Sequence, residues 1–321
     1  MSDFSPKIKN SVIATLGFFS LFGRALNASE IVQYFYVDGE DTEYLDLCKK
    51  NQAGVENAIT EVLENGDLFE QKEGYFFLKK EAARYSRDSE TIKDAQEKLL
   101  KKCRRYLPML TWIPYIRMVA IGNTLAFGAA DNESDIDLFI IIEEKHLWIS
   151  RLFITIFFHM LGVRRHGNKI TSRFCLSFYA DTSVLDFEKI KIDVTDIYLR
   201  FWAVTLKPFF GKNAYFSFIH ENEKSLMNSF PFWNPDMQMR EVHERSDNLR
   251  KFQFLQEGFW SSNLGYKIAD WFTKLQRKKM EALPVPQTEA SSVIVSDHML
   301  KFHNNDRRKE YQEEWTKIIT N

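Results

Sequence analysis

Two aspartates two positions apart, Asp135 and Asp137, open an apolar run that continues Leu138-Phe139-Ile140-Ile141-Ile142. The run reads as a strand. Side chains on a strand alternate faces, so both carboxylates point the same way, a few ångströms apart. Such a pair repels itself, and a hard divalent cation relieves the repulsion. Mg²⁺ held by one or two carboxylates together with substrate phosphates is a common arrangement. Just upstream, Ile121-Gly122-Asn123-Thr124-Leu125-Ala126-Phe127-Gly128 reads as a strand end, a tight turn and a short helix. Gly122 lets the backbone approach a ligand closely, and a helix from about Thr124 offers free N–H groups to an anion. Phosphate donors on one side and a carboxylate pair on the other point to a nucleotide site, with Gly122, Asn123 and Ser134 on the nucleotide and Asp135 and Asp137 on the metal.

This pattern resembles the nucleotidyltransferase superfamily that includes DNA polymerase beta. Its fingerprint is a strand ending in Gly-Gly or Gly-Ser, a short helix, then Asp-x-Asp on the next strand. Gly122-Asn123 stands for the first part and Asp135-Ile136-Asp137 for the second. The words Gly-Asn-Thr-Leu-Ala-Phe-Gly and Ser-Asp-Ile-Asp-Leu-Phe are similar to the minimal nucleotidyltransferases in particular, over roughly residues 111–185. The resemblance implies Mg²⁺ or Mn²⁺ as cofactor, an NTP as substrate, and transfer of NMP to a hydroxyl acceptor. Asn123 departs from the family's serine or glycine, but its amide can still donate. The family's third carboxylate, the base for the attacking hydroxyl, sits on a later strand. That strand here reads Arg173-Phe174-Cys175-Leu176-Ser177-Phe178-Tyr179, with Ser177 at the equivalent position and no acid. Asp181 and Asp186 follow and are the alternatives. Serine is a poor base at neutral pH without an activating partner. Either the base comes from elsewhere, or the chain binds nucleotide and turns it over poorly.

The elements that position these residues fit a folded α+β chain. At 321 residues, 45% of them apolar, there is enough chain for two or three cored domains. A net charge of −1 predicts neither nucleic acid nor an anionic membrane as a general partner. Cys48, Cys103 and Cys175 are too few and too scattered for a disulfide frame or zinc site, and suit a reducing cytoplasm. Two apolar runs, Val12 to Phe22 and Leu152 to Val163, are too short to span a membrane, which takes roughly 20 residues. The first opens a domain and the second is a buried helix, with His159 as a hydrogen-bonded core residue.

Four segments follow. Residues 1–85 read as a winged helix. Its helices are Ser11 to Gly23, then Ala28 to Phe35 behind a capping box at Asn27 and Glu30, then a third marked by Val55, Ala58, Ile59, Val62 and Leu63. A hairpin around Lys72-Glu73-Gly74 takes the wing's place. The third helix carries Glu56, Glu61 and Glu64 and no base, so duplex DNA binding is not favoured. Residues 86–110 form a basic connecting helix, read as solvated. Residues 111–190 hold the nucleotidyltransferase-like mixed sheet, where Arg164, Arg165, His166 and Lys169 are candidates to clamp phosphates. Residues 191–321 read as mainly helical, with Phe302 to Arg308 an exposed turn before a last helix from Arg307 to Ile319. The leading expectation is a metal-dependent nucleotidyltransferase whose acceptor is a small molecule, protein or RNA. The alternatives are an inactive nucleotide-binding scaffold and a winged-helix regulator.

Overall fold

Apolar central strands buried on both faces decide the architecture. The computed structural model describes residues 5–85, 89–239, 242–243, 247–281, 292–303 and 306–320. The chain is a mixed α+β fold with one small antiparallel sheet and one larger mixed sheet.

The N-terminal part runs α1 (Ser5–Ser20), β1 (Leu26–Asn27), α2 (Ala28–Gln33), α3 (Thr42–Lys50), α4 (Gln52–Asn65), β2 (Phe69–Lys72) and β3 (Tyr75–Leu78). The capping box forms as the residue types require: Glu30 N donates to Asn27 Oδ1 at 2.9 Å and Asn27 N to Glu30 Oε2 at 3.1 Å. Helix α4 buries Val55, Ile59 and Leu63, the stripe its spacing announced. Glu73 and Gly74 both take positive φ, 53° and 83°, which suits a tight hairpin between twisted strands. The three strands lie in the order β1-β3-β2. Helix α3, N-capped by Asp41, was not anticipated.

Helix α5 (Ser89–Tyr106) leads to the larger sheet. There follow β4 (Ile116–Ile121), α6 (Asn123–Phe127), β5 (Ile136–Ile142), α7 (Leu147–Met160) and β6 (Phe174–Asp181). Next come α8 (Ile197–Thr205), β7 (Lys207–Phe210), α9 (Lys212–Ser229), α10 (Asp247–Trp260), α11 (Asn263–Glu281), β8 (Ser292–Val295), β9 (Met299–His303) and α12 (Arg308–Thr320). The strand order is β7-β4-β5-β6-β9-β8, with β5 and β6 parallel and the other pairs antiparallel. The region beyond residue 190 is therefore helical as expected but also supplies both flanks of the sheet. The stretch from Phe302 to Arg308 begins inside β9, not in an exposed turn, and residues 304–305 lie outside the described ones.

Each face of the sheet has its own core. Val119, Ile121, Ile136, Leu138, Ile140 and Ile142 pack with α5 and α7 through Leu99, Ile154 and Phe158. Met118, Ala120, Phe139, Ile141 and Phe178 face α8, α9 and α1. Phe18 of α1 stacks on Phe201 of α8 at 4.0 Å, and Trp315 Nε1 of α12 donates to Ala14 O at 2.9 Å. The N-terminal part thus shares a core with the sheet across the boundary expected at residue 85. His159 is exposed on α7, in contrast to the expected core position, because it lies on the face turned from the sheet beside Met160, itself 81% exposed. Among the described residues no helix is long and apolar enough to cross a membrane.

Candidate functional site

The turn after β4 is locked to β5 by Gly122 N donating to Asp137 O at 3.0 Å. Gly122 itself is extended, φ −121°, which any residue can adopt. A Cβ there would lie 3.0 Å from Trp202 Nε1, so the small residue makes room for an indole. Close approach of α8 is thus one reason for a glycine at this position. Asn123 sits at φ +53°, a left-handed conformation that Asn tolerates better than most residues. That backbone explains why asparagine suits the position. Helix α6 ends at Gly128, φ +82°, a left-handed C-cap.

Asp137 lies on β5 and Asp135 just before it, facing the same side as Phe139. Asn123 Nδ2 donates to Asp137 Oδ2 at 2.8 Å, and Tyr198 Oη of α8 donates to Asn123 Oδ1 at 3.0 Å. Arg165 Nη1 donates to Asp135 Oδ2 at 2.6 Å. Of the four phosphate-clamp candidates, Arg165 is thus brought onto an acid of the pair. Cys175 lies opposite Asp137 in the β5–β6 register. Carboxylate oxygens of Asp135 and Asp137 and the Cys175 Sγ all lie within 4.8 Å of one another and could hold a metal ion between them. Burial and the neighbouring Asp135 charge push the Asp137 carboxyl up to about 6. Burial and the nearby Asp137 charge push the Cys175 thiol well above its ordinary value, so it is held protonated.

Beside the pair stands Cys175, with Ser177 next to it. The Cys175 Sγ donates to Ser177 Oγ at 3.2 Å, and both are buried. The register explains why. Asp137 pairs with Cys175 and Phe139 with Phe178, so β6 carries one extra residue against β5. Bulges of this kind re-aim side chains and are common next to active sites. Asp181 does not reach the pair. It sits at the opposite end of β6, about 20 Å away at ~3.3 Å per residue, where it pairs with His298 Nδ1 at 2.8 Å and with Ser183. Asp186 caps the short helix Phe187–Ile190. Ser134 turns its hydroxyl to Asp131 Oδ1 at 2.8 Å, inside its own loop. From the basic helix, Lys102 reaches the Ser172 carbonyl, so part of that helix is docked on the loop before β6.

Sequence reasoning did not reach a second compartment on the same sheet face. A cavity of about 170 Å³ is lined by Asn123, Tyr198, Trp202, Lys301, Asp306 and Tyr311, among others. Lys301 is opposite Phe178 in the β6–β9 pairing. Arg308, 7% exposed at its side chain, bridges Asp306 Oδ2 at 2.7 Å and Asp196 Oδ2 at 2.8 Å. The one signal in the sequence was the concentration of polar groups between Phe302 and Arg308. Comparison of the chain with family models, with curated proteins and with solved structures returned no significant match.

Proposed function

We propose that this chain is a metal-dependent nucleotidyltransferase that moves NMP from an NTP to a hydroxyl acceptor. One observation carries the reading: Asp135 and Asp137 converge on one face, with Asn123 from the preceding turn bonded to Asp137. Burial first, and then the Asp135 charge, push the Asp137 carboxyl up, and a cation favours its ionised form against both. Two hard oxygens suit Mg²⁺ or Mn²⁺. The protonated Cys175 is a soft donor that such a cation does not need. The bound cation would neutralise charge developing on the phosphates.

The chain's own part is positioning. Tyr198 holds Asn123, and Asn123 holds Asp137, which fixes the carboxylate before the cation arrives. Arg165 occupies the Asp135 carboxylate and is placed to turn onto phosphate when the cation takes its place. The acceptor oxygen forms the new bond to the α-phosphorus while the bond to pyrophosphate breaks. No carboxylate on β6 reaches the pair, Asp181 lying at the strand's far end, so the acceptor's proton passes to solvent and turnover is slow. Incubation with each labelled NTP and Mg²⁺ or Mn²⁺ tests this: pyrophosphate release or label transfer is expected, absent in Asp135→Asn. Release that persists in that variant removes the pair from the chemistry.

The thiol next to the pair favours a second reading, a nucleotide-binding scaffold with little turnover. Further support for a scaffold role comes from the N-terminal part, whose β1-β3-β2 order and flanking helices fit a winged helix. Helix α4 carries Glu56, Glu61 and Glu64 and no Lys or Arg, which supports a structural or protein-contact role over duplex DNA. Three buried free thiols fit a reducing compartment such as the cytoplasm.

A further inference from the structure

The cavity next to Asn123 is unused by the reading above, and its lining is specific. Tyr198 of α8 and Tyr311 of α12 stack with ring centroids 5.3 Å apart and planes 10° from parallel. They form an offset aromatic stack, with Arg307 over the Tyr311 ring at 4.9 Å and with Trp202 and Phe178 also in the lining. A cavity of roughly 150 Å³ admits a benzene ring, and this one, at about 170 Å³, admits a single heterocycle. Mostly apolar walls with a few placed polar groups are the usual make-up of a small-molecule site.

The polar groups are unusual. Lys301 is 6% exposed, yet its one ion pair among the described residues is with Asp306, at a long 3.5 Å. An ammonium has three donors, so this one has capacity left. Asp306 is fixed by Arg308 through Nε at 2.8 Å and Nη2 at 2.7 Å. Arg308 is anchored in turn by Asp196 and by the Ile190 carbonyl at 3.0 Å. The group of two acids, one arginine and one lysine is neutral and braced. It sets a donor-only ammonium beside an acceptor-only carboxylate in a cavity also lined by the stacked tyrosines. The edge of a nucleobase offers the complement, an acceptor beside a donor. Every common base has both, so the arrangement assigns a base and not one particular base.

Resting on the nucleotidyltransferase reading, we propose that this cavity holds the nucleobase of the NTP. The ring lies along Tyr198, Tyr311 and Trp202, Lys301 and Asp306 read its edge, and its phosphates extend past Asn123 to the Asp135–Asp137 pair. Asn123 lines the cavity and is bonded to Asp137, so the two compartments adjoin. Of the base-reading residues, Lys301 comes from the last strand, Tyr311 from the last helix, and Asp306 lies just before that helix.

Calorimetry on the full chain tests this with four NTPs, their nucleosides and tripolyphosphate, each in Mg²⁺ and in chelator. Wild type, Tyr311→Phe, Tyr311→Ala and Lys301→Met are compared after their melting curves confirm folding. Base stacking on an aromatic side chain predicts that Tyr311→Ala weakens NTP about tenfold or more. Tyr311→Phe keeps the ring and keeps the affinity. Tripolyphosphate binding does not change in Tyr311→Ala. Nucleosides bind weakly in both buffers and lose binding in Tyr311→Ala. NTP affinity that is Mg²⁺-dependent but unchanged in both Tyr311→Ala and Lys301→Met would place the base elsewhere and leave the enzyme reading standing. Nucleoside binding at Tyr311 with no metal dependence of NTP binding would leave the pocket and remove the enzyme reading. No binding of any nucleotide to wild type would overturn both.

Discussion

On the sheet face that meets α5 and α7, Ile136, Leu138, Ile140 and Ile142 are at most 2% exposed, and nothing polar interrupts them. On the opposite face the same strand β5 presents Asp137 before Phe139, β6 presents Cys175 and Ser177, and β9 presents Lys301. Both faces are built by the same alternation, so strand propensity does not separate them. What separates them along β5 is the ionisable Asp137, and a buried polar group without full partners costs of the order of 1–3 kcal/mol. On the proposed function the Asp137 face, the open face, carries that cost because its groups are used.

The sharpest way to break this comparison is to change the third position. If the open face is a transfer site held back by a thiol, Cys175→Asp should raise transfer by about 10²–10⁴, the usual contribution of a general base. Steady-state release of pyrophosphate checks this, with Ser177→Asp as the comparison variant expected to gain less because its side chain lies behind Cys175. A larger gain from Ser177→Asp would reverse the order of the two positions.

Arg308 tests the braced polar group. Arg308→Ala leaves Asp196 buried without its counter-charge and Asp306 with Lys301 alone, and breaking a buried pair costs about 3–5 kcal/mol. Urea unfolding should report that loss. Ile140→Ala on the closed face should cost a similar or slightly smaller ~2–5 kcal/mol through the cavity it leaves. It should leave the metal dependence of nucleotide binding unchanged in the folded fraction.

The two faces should also differ in their response to pH, and the two carboxyls of the open face should act in opposite directions. Asp137 has a folded value raised to about 6, by burial and then by Asp135, above an unfolded value of about 3.9. Its contribution is present below about pH 4 and is lost as the pH rises through about 6. Burial alone would raise Asp306, but Arg308 and Lys301 outweigh it and hold its carboxyl well below the ordinary value. Its contribution is present above about pH 4 and is lost as the pH falls further. Melting temperatures in chelator from pH 3 to 7 should therefore flatten between about 4 and 6 in Asp137→Asn, and below about 4 in Asp306→Asn. A wild-type slope retained in either variant rejects the assignment for that residue.

The smallest effect belongs to Asn123, where backbone and side chain can be separated. Asn123→Gly keeps the left-handed turn and drops the amide, while Asn123→Ala loses both. Thermal melts should place the alanine variant below the glycine variant by about 1 kcal/mol. Nucleotide affinity should fall alike in the two.

Much of this was legible in the sequence, for physical reasons that also mark where reading stops. The β4–turn–α6–β5 unit was readable because two apolar runs flank a local turn. The Asn27–Glu30 capping box was readable for the same reason: its partners are three residues apart. Strand β7 was hidden because Pro208 reads as a helix end, and an edge strand tolerates a proline that a central one would not. Cys175 was missed in favour of Ser177 because a bulge in β6 changes the register, and a bulge has no sequence signature in Cys175-Leu176-Ser177. Lys301 and Tyr311 were missed because their meaning depends on the pairing of β9 with β6. That pairing joins positions more than a hundred residues apart, and nothing local encodes it.

The measurement that bears most directly on the central claim is NTP affinity by calorimetry, in Mg²⁺ and in chelator, for wild type and Asp137→Asn. If Asp135 and Asp137 hold the cation that holds the phosphates, wild type binds at least tenfold more tightly in Mg²⁺, and Asp137→Asn binds equally weakly in both buffers while melting no lower than wild type. Equal affinity of the wild type in Mg²⁺ and in chelator would contradict the account.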